Sequence, residues 1–467
     1  MPFLEHDEWF TKGIIQLSFK QMVSITAIDV HPPLFYIILK IPMKILAMLN
    51  ISYDLVTLMK FMSVLPLFIL FVIGATKIRR DYGWLTAGFF TFTLVSMASF
   101  FRVFLIARMY SWAILFLVLC FLCVCNILKE SDYKSWILLT VFSVLGAYTH
   151  YFTAISIVLI YLILFVNILF NKNLGFDKKE DLKKWFVCVV LGIIMYVPWL
   201  VSLFGQLKSV HKSHWLPSVD INLVITSLSS VFTNNLELFL LNVVCAIVIL
   251  AVTVLVLSKY LKSPSKKNFY LLMGMSVFIT TLALAIVISL VFKPIILERY
   301  FVPSIALVWL SISILMSEID FKKLALPIII VVLLFGAYNI MDEISVIDEN
   351  YNKTLETYEF LDSIDNNNSI VIIDGMQKYM RFDNEINNAT KFYAYQMNNE
   401  THKSPYIKLL KIKDKKFNIP DDINSSGGKD IYLLVDGSRK LNNTDVEFDR
   451  LFNIHSSTFY KIKTKSV

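Results

Sequence analysis

Ten apolar runs of near-spanning length, at about 55–76, 84–101, 111–128, 135–148, 152–170, 185–203, 236–258, 269–291, 300–317 and 324–341, fill most of this chain's 467 residues. A run of about 20 apolar residues crosses the hydrocarbon core of a bilayer. Backbone groups find no water there and must bond within their own helix. The pattern therefore predicts a polytopic α-helical membrane protein. Composition agrees, since 56% of residues are hydrophobic and 17% charged, too little charge for a soluble chain of this length.

Charge assigns partners and sides. Basic residues exceed acidic ones by 44 to 36, and the excess belongs to the membrane part. Residues 1–341 hold 27 Lys and Arg against 16 Asp and Glu, whereas residues 342–467 hold 17 against 20. The implied partner is the lipid bilayer, not nucleic acid. Sixteen Lys and Arg fall in one set of alternating connections, including "KIRRD" and "KYLKSPSKK", and six in the opposing set. By the positive-inside rule the first set is cytoplasmic. Residues 1–54, read as a first outer loop, and residues 342–467 then both lie outside.

The boundary at 341/342 separates a multi-span domain, 1–341, from a tail of different composition. In the tail "SIVIID" (369–374) and "DIYLLVDG" (430–437) read as buried strands and "YNKTLETYEFLDSI" as an amphipathic helix, which predicts a small extracytoplasmic α/β module. Six N-x-S/T sequons, at Asn352, Asn367, Asn388, Asn399, Asn424 and Asn442, agree with an external location. "MPFLEHDEWFTKG" lacks the basic and apolar regions of a signal peptide. The five cysteines all fall in apolar segments, and "CFLCVC" (120–125) reads as buried apolar cysteine, not as a metal site with a second shell.

With sides assigned, the unusual polar stretches collect at one face: "EHDEWF" (5–10), "DVHPP" (29–33), "RVFLIARMY" (102–110), "YTHYF" (148–152), "SVHKSHW" (209–215) and "ERY" (298–300). Ionisable groups at a membrane boundary either face water or line a functional cavity. Asp7 and Glu8, followed by Trp9 and Phe10, form either a solvated loop with an aromatic anchor or a carboxylate pair fit for general-base work. Asp29 and His31 precede two prolines, which suit the first turn of a helix and hold the residues before them extended; the pair is a helix cap or half a metal site. His150 is a hydrogen-bonded interfacial histidine or a substrate contact. Arg108 and Arg299 meet lipid head groups or bind a phosphate. Lys60, inside a span, snorkels or reaches a phosphate.

In this order, "EHDEWF", "DVHPPLFY", "ARMYS", "YTHYF", "WLP" and "KPIILERYFVPS" resemble the polyprenyl-phosphate-sugar-dependent glycosyltransferases of the GT-C class. The protein O-mannosyltransferase-like and aminoarabinose-transferase-like branch, glycosyltransferase family 39, is the nearest part of it. The resemblance covers most of the membrane part. It implies a GT-C-like fold and transfer of a hexose or pentose from a polyprenyl-phosphate donor to a hydroxyl-bearing acceptor, on protein, lipid or cell-surface glycan. The expected place is the extracytoplasmic side of the plasma membrane. It also implies Asp7 and Glu8 as the catalytic pair, with Asp29, His31, Lys60, Arg108, Tyr110, His150, Tyr151, Arg299 and Tyr300 around the substrates. No redox cofactor is expected, and a divalent metal stays open. "DVHPPLFY" is then the start of a surface helix that walls the cavity. Two departures stand out: Leu105 and Ile106 occupy places that often hold Gln-Glu, and members have a span before the acidic pair, so an apolar segment is expected upstream of Met1. The rival reading is a transporter or flippase for lipid-linked sugars, whose binding groups would sit near the bilayer midplane.

The assigned sides are checked by labelling. A single cysteine in the tail, such as Ser466→Cys in a cysteine-free chain, is expected to react with an impermeant thiol reagent in intact cells, and reaction only after lysis contradicts the assignment.

Overall fold

In the computed structural model, residues 4, 6–210, 216, 218–234, 237–316, 325–364, 368–374, 390–394, 414–415, 429–436, 446–454 and 457–464 are described. Among these residues fifteen α-helices precede the strands: α1 (His6–Gln16), α2 (Phe19–Ile28), α3 (Leu34–Met48), α4 (Leu55–Ile73), α5 (Arg79–Ser96), α6 (Ala98–Leu105), α7 (Tyr110–Lys129), α8 (Tyr133–Thr149), α9 (Tyr151–Phe170), α10 (Lys178–Val210), α11 (Ile221–Ser229), α12 (Phe239–Lys262), α13 (Lys266–Val291), α14 (Val302–Met316) and α15 (Leu326–Ser363). Chain contacts divide the molecule into two compact units, residues Thr26–Ile344 and residues Met1–Ile25 with Ser345–Val467. The sequence boundary at 341 falls inside α15, which runs through it without a break.

The larger unit is built from apolar helices, and seven helical segments among the described residues are long and apolar enough to cross a membrane. Of the apolar window of α7, 83% is buried, against 11% in α10 and 22% in α12. Residues as apolar as Ile194, Val201 and Leu255 lie on those outer helices, at least 60% exposed. Water does not tolerate such faces and lipid does, so the chain is a polytopic α-helical membrane protein with α7 at its centre, packed against α4, α8, α9 and α14.

Two of the ten apolar runs form helices shorter than a span. At 1.5 Å per residue, the 17-residue α8 is about 25 Å long and the 15-residue α14 about 23 Å, against a core of about 30 Å. Nearly all of α14 is buried, and it packs on α13, α7 and α5. Its apolar run is a core pattern, not a lipid-facing one. The segment from Leu55 to Ser96 carries two runs, parted by a kink at Gly83, whose φ of 90° lies in the region glycine alone adopts readily. The second run ends before residue 101, because Met97 is extended and starts a new helix, α6.

Local signals account for the helix starts. Asp54 accepts from Thr57 N at 2.7 Å to open α4, and Asp132 accepts from Ser135 N at 3.0 Å to open α8. The expected first outer loop is itself largely helical, with α1, α2 and α3 occupying most of residues 6–48. The proline pair precedes α3: Pro33 stands at its N-cap with no side-chain cap bond, so Asp29 and His31 do not cap it. They lie in a bend between α2 and α3, not in extended chain.

In the other unit a six-stranded sheet follows α15: β1 (Ser369–Asp374), β2 (Thr390–Ala394), β3 (Asp414–Lys415), β4 (Asp430–Asp436), β5 (Val446–Ile454) and β6 (Ser457–Thr464). Its order is β3-β2-β1-β4-β6-β5, the first four strands parallel and the last two joined antiparallel. Ile372, Ile431, Leu433, Val435 and Ile462 form its core. Phe360 near the end of α15 stacks on Phe452 at 4.8 Å, which fixes the expected amphipathic helix to the sheet. Both expected strands are present, as β1 and β4. Of the sequons, only the one at Asn352 begins within the described residues. All five cysteines are buried, as expected.

The packing of α13 on α14 depends on Gly274. A Cβ there would lie 2.5 Å from the Leu307 carbonyl and closer still to Ser311 Oγ, and a backbone carbonyl has no room to yield. Gly274→Ala is expected to destabilise the chain by about 1–3 kcal/mol. Gly192→Ala, where a Cβ meets nothing within 4 Å, is expected to be neutral or slightly stabilising. Thermal unfolding of the purified protein in detergent compares the two.

Candidate active site

Four helix breaks of the larger unit meet around one set of rings. His31 comes from the bend before α3. Arg108 lies in the turn between α6 and α7, where its N–H bonds Ile106 O at 2.8 Å, and Tyr110 opens α7. His150 is the single extended residue between α8 and α9, with φ −155° and ψ 138°. Arg299 and Tyr300 lie in the 3₁₀ turn Glu298–Tyr300 ahead of α14. The His150 ring centroid lies 5.2 Å from that of Tyr300, 5.4 Å from Tyr110, 5.9 Å from Phe152 and 6.1 Å from His31, over which it stacks. Tyr110 and Tyr300 are themselves 6.4 Å apart.

Burial and charge make this cluster unusual. His31, Arg108 and His150 are 7%, 5% and 2% exposed, and Tyr110 is fully buried. Burial, and then the charges of Arg108 and Arg299, lower the His150 pKa to about 3; burial, Arg108, His150 and Arg299 hold His31 well below its ordinary value. Two fixed cations thus face two neutral imidazoles. The Nδ1 atom of His150 is buried with no hydrogen-bond partner among the described residues, contrary to the expected hydrogen-bonded interfacial histidine. Such an atom costs about 1–3 kcal/mol unless a ligand satisfies it.

A hydrogen-bonded frame lies beside the cluster. Trp199 Nε1 donates to Tyr151 Oη at 3.0 Å, Tyr151 donates to Gln206 Oε1, and Gln206 Nε2 donates to Thr26 O at 2.8 Å and Ala27 O at 3.3 Å. It ties the end of α2, just before Asp29, to α9 and α10. Asp29 is half-buried and acts electrostatically on Tyr151.

The structure therefore joins His31, Arg108, Tyr110, His150, Arg299 and Tyr300, with Asp29 and Tyr151 linked through the frame. Lys60 lies half-buried on α4 and is not one of the cations acting on both histidines. Asp7 and Glu8 belong to the other compact unit, in the first turn of α1. Glu8 is fully buried and Asp7 half-buried, with Trp9 and Phe10 buried beside them in sequence, so the solvated-loop reading fails. His211, Lys212, His214 and Trp215 lie outside the described residues.

Three participants were not expected. Phe152 has its ring centroid 5.0 Å from that of Tyr300, and Gln206 carries the frame although it sits on a lipid-spanning helix. Glu298, next to Arg299 in its turn, has its carboxyl pKa raised by burial, opposed by a hydrogen bond from Thr226. A glutamine just past the apolar run 185–203 was the one signal available for Gln206. Among the described residues no three His, Cys, Asp or Glu side chains gather as a metal site would require.

No family model matches the chain, and no curated protein does. Among solved structures it is similar to ArnT from Cupriavidus metallidurans in the apo state, at 10% identity and a TM-score of 0.41 over 92% of this chain and 87% of that one. It is similar also to ArnT from the same organism bound to undecaprenyl phosphate, at 12% identity and a TM-score of 0.39 over 92% and 88%.

The neutral histidines make a pH prediction. Unfolded histidine takes up a proton near pH 6.5, while His31 and His150 stay neutral in the fold, so stability falls as pH drops below about 6.5. The loss is about 1.4 kcal/mol per pH unit for each histidine; for His150 it continues until the folded form protonates near pH 3. His150→Gln is expected to flatten the dependence of unfolding midpoint on pH between 7 and 5. An unchanged slope contradicts the burial of a neutral ring there.

Proposed function

We propose that the chain is a membrane glycosyltransferase of the GT-C class that moves a sugar from a polyprenyl-phosphate donor to a hydroxyl acceptor. The observation that carries this reading is the pair of arginines acting on the ring-lined cluster, where His150 Nδ1 has no partner. Guanidinium groups bind phosphate in a planar, two-pronged way. All of these groups stand at helix breaks, where a lipid donor can enter from the bilayer and a polar acceptor from water. The order of the sequence motifs supports the same reading, and the site then belongs to the extracytoplasmic face.

In the reaction the acceptor hydroxyl attacks the anomeric carbon, its proton passes to a general base, which the order of the sequence motifs assigns to Asp7, and the bond from that carbon to the phosphate oxygen breaks with the electron pair leaving on the phosphate. Arg108 and Arg299 stabilise that developing charge. Tyr110, His150 and Tyr300 form the wall against which the sugar and phosphate rest, and neutral imidazoles offer both a donor and an acceptor for sugar hydroxyls. Asp29, Tyr151 and Lys60 complete the surroundings, and Glu8 orients Asp7.

Labelled polyprenyl-phosphate sugars incubated with the purified chain and candidate acceptors test this directly. Asp7→Asn is expected to lower transfer by roughly 10²-fold or more while donor binding persists. Arg108→Ala and Arg299→Ala are expected to weaken donor use in both binding and turnover. Near-normal turnover by Asp7→Asn overturns the base assignment and passes it to Asp29 or Glu298. Unimpaired donor use by both arginine variants overturns the phosphate site.

A further inference from the structure

The end of α9 remote from His150 carries a second polar feature. Between α9, α12 and α13 opens a groove of about 750 Å³, apolar along Leu159, Leu162, Val166 and Leu257 and polar at Asn167, Asn171 and Lys172. Its walls face outward, since Leu162 is 49% and Val166 50% exposed. The polar end is firmly built: Tyr260 bonds Asn167, Asn171 Nδ2 donates to Tyr260 Oη at 2.5 Å, and Asn167 Nδ2 donates to Ile163 O at 2.8 Å. These bonds pin the end of α12 to α9.

That end is also strongly basic. The α12–α13 connection "KYLKSPSKK" holds Lys259, Lys262, Lys266 and Lys267 with no acidic residue, and "NKN" adds Lys172. Lys259 and Lys267 lie near enough to repel each other. No ion pair among the described residues engages Lys172, Lys259, Lys262 or Lys266. The apolar wall from Leu159 to Phe170 is about 17 Å long at 1.5 Å per residue. This is close to one leaflet, half of a core of about 30 Å.

We propose that this groove binds an anionic diacyl phospholipid, with one acyl chain along α9 and the phosphate at Lys172 and the lysines of the α12–α13 connection. The charge calls for an anion, the apolar wall for a chain, and the wall's length for a lipid of a single leaflet. Basic pockets at the ends of membrane helices hold anionic head groups in this way. The site is independent of the sugar-transfer reading, because it uses none of those residues.

Native mass spectrometry of the full chain in detergent, given equal phosphatidylglycerol and phosphatidylcholine, tests it. Phosphatidylglycerol is expected to be retained roughly tenfold over phosphatidylcholine, and the Lys172→Gln/Lys262→Gln variant to lose that preference. Thr280→Trp fills the groove from its exposed side and is expected to remove bound lipid of both kinds. The lysines are surface groups, so the double variant remains a folded test if the tryptophan disturbs packing. Equal retention of the two lipids, or a preference unchanged in the lysine variant, overturns the proposal. Equal protection against thermal unfolding by glycerol 3-phosphate would reduce the site to a phosphate site without a chain, and displacement of phosphatidylglycerol by a stoichiometric polyprenyl phosphate would assign the groove to that lipid instead.

Discussion

Lipid offers no hydrogen bonds, and that single constraint organises the larger unit. Every backbone group inside the hydrocarbon must bond within its helix, so irregular chain and ionisable side chains are driven to the places where helices stop. The bend at 29–33, the turn at 106–109, the extended His150 and the 3₁₀ turn at 298–300 are such places. Three of them flank helices that pack on one another: α7, α9 and α14. Their ends therefore share a level, and the side chains of the breaks meet. The site follows from helix packing more than from any local motif.

Within the cluster, two effects act on the histidines in the same direction. Burial disfavours the charged ring, and Arg108 and Arg299 add repulsion, so both imidazoles remain neutral while the arginines stay charged. A lysine in either arginine position would be open to losing its proton under the same pressures, whereas guanidinium is not. A cationic patch that survives burial is suited to a phosphate and ill suited to a neutral sugar alone. In the proposed function, neutral imidazole and phenol would supply the weaker, directional bonds that a sugar needs.

Much of this was legible in the sequence because membrane chemistry is written in composition. The apolar runs gave the helices, and the family resemblance put His31, Arg108, Tyr110, His150, Arg299 and Tyr300 in a wider set that also held Asp7, Glu8, Asp29, Lys60 and Tyr151. What was hidden has physical causes. An apolar run reads alike in lipid and in a protein core, so α14 looked like a span. The acidic pair looked like loop because "EHDEWF" carries polar residues before aromatics, yet it forms the first turn of α1, where acidic residues favour the helix N-terminus. In the tail β5 and β6 escaped notice because charged and polar residues interrupt "VEFDRLFNI" and "STFYKIKT", unlike the continuous apolar runs of β1 and β4. Gln206 was a single polar residue with no pattern around it, and Glu298 stood in "ERY" without being singled out; only the fold gives them partners.

In the proposed function the buried arginine and ring cluster receives the phosphate of a polyprenyl lipid. Photocrosslinking with a polyprenyl phosphate that carries a diazirine next to its phosphate, followed by peptide mapping, measures this without requiring the acceptor or the sugar to be known. Crosslinks are expected on the segments around Arg108–Tyr110, His150–Phe152 and Glu298–Tyr300, lost when excess unlabelled polyprenyl phosphate competes. Competed crosslinks confined to other segments, with none on these three, would contradict it.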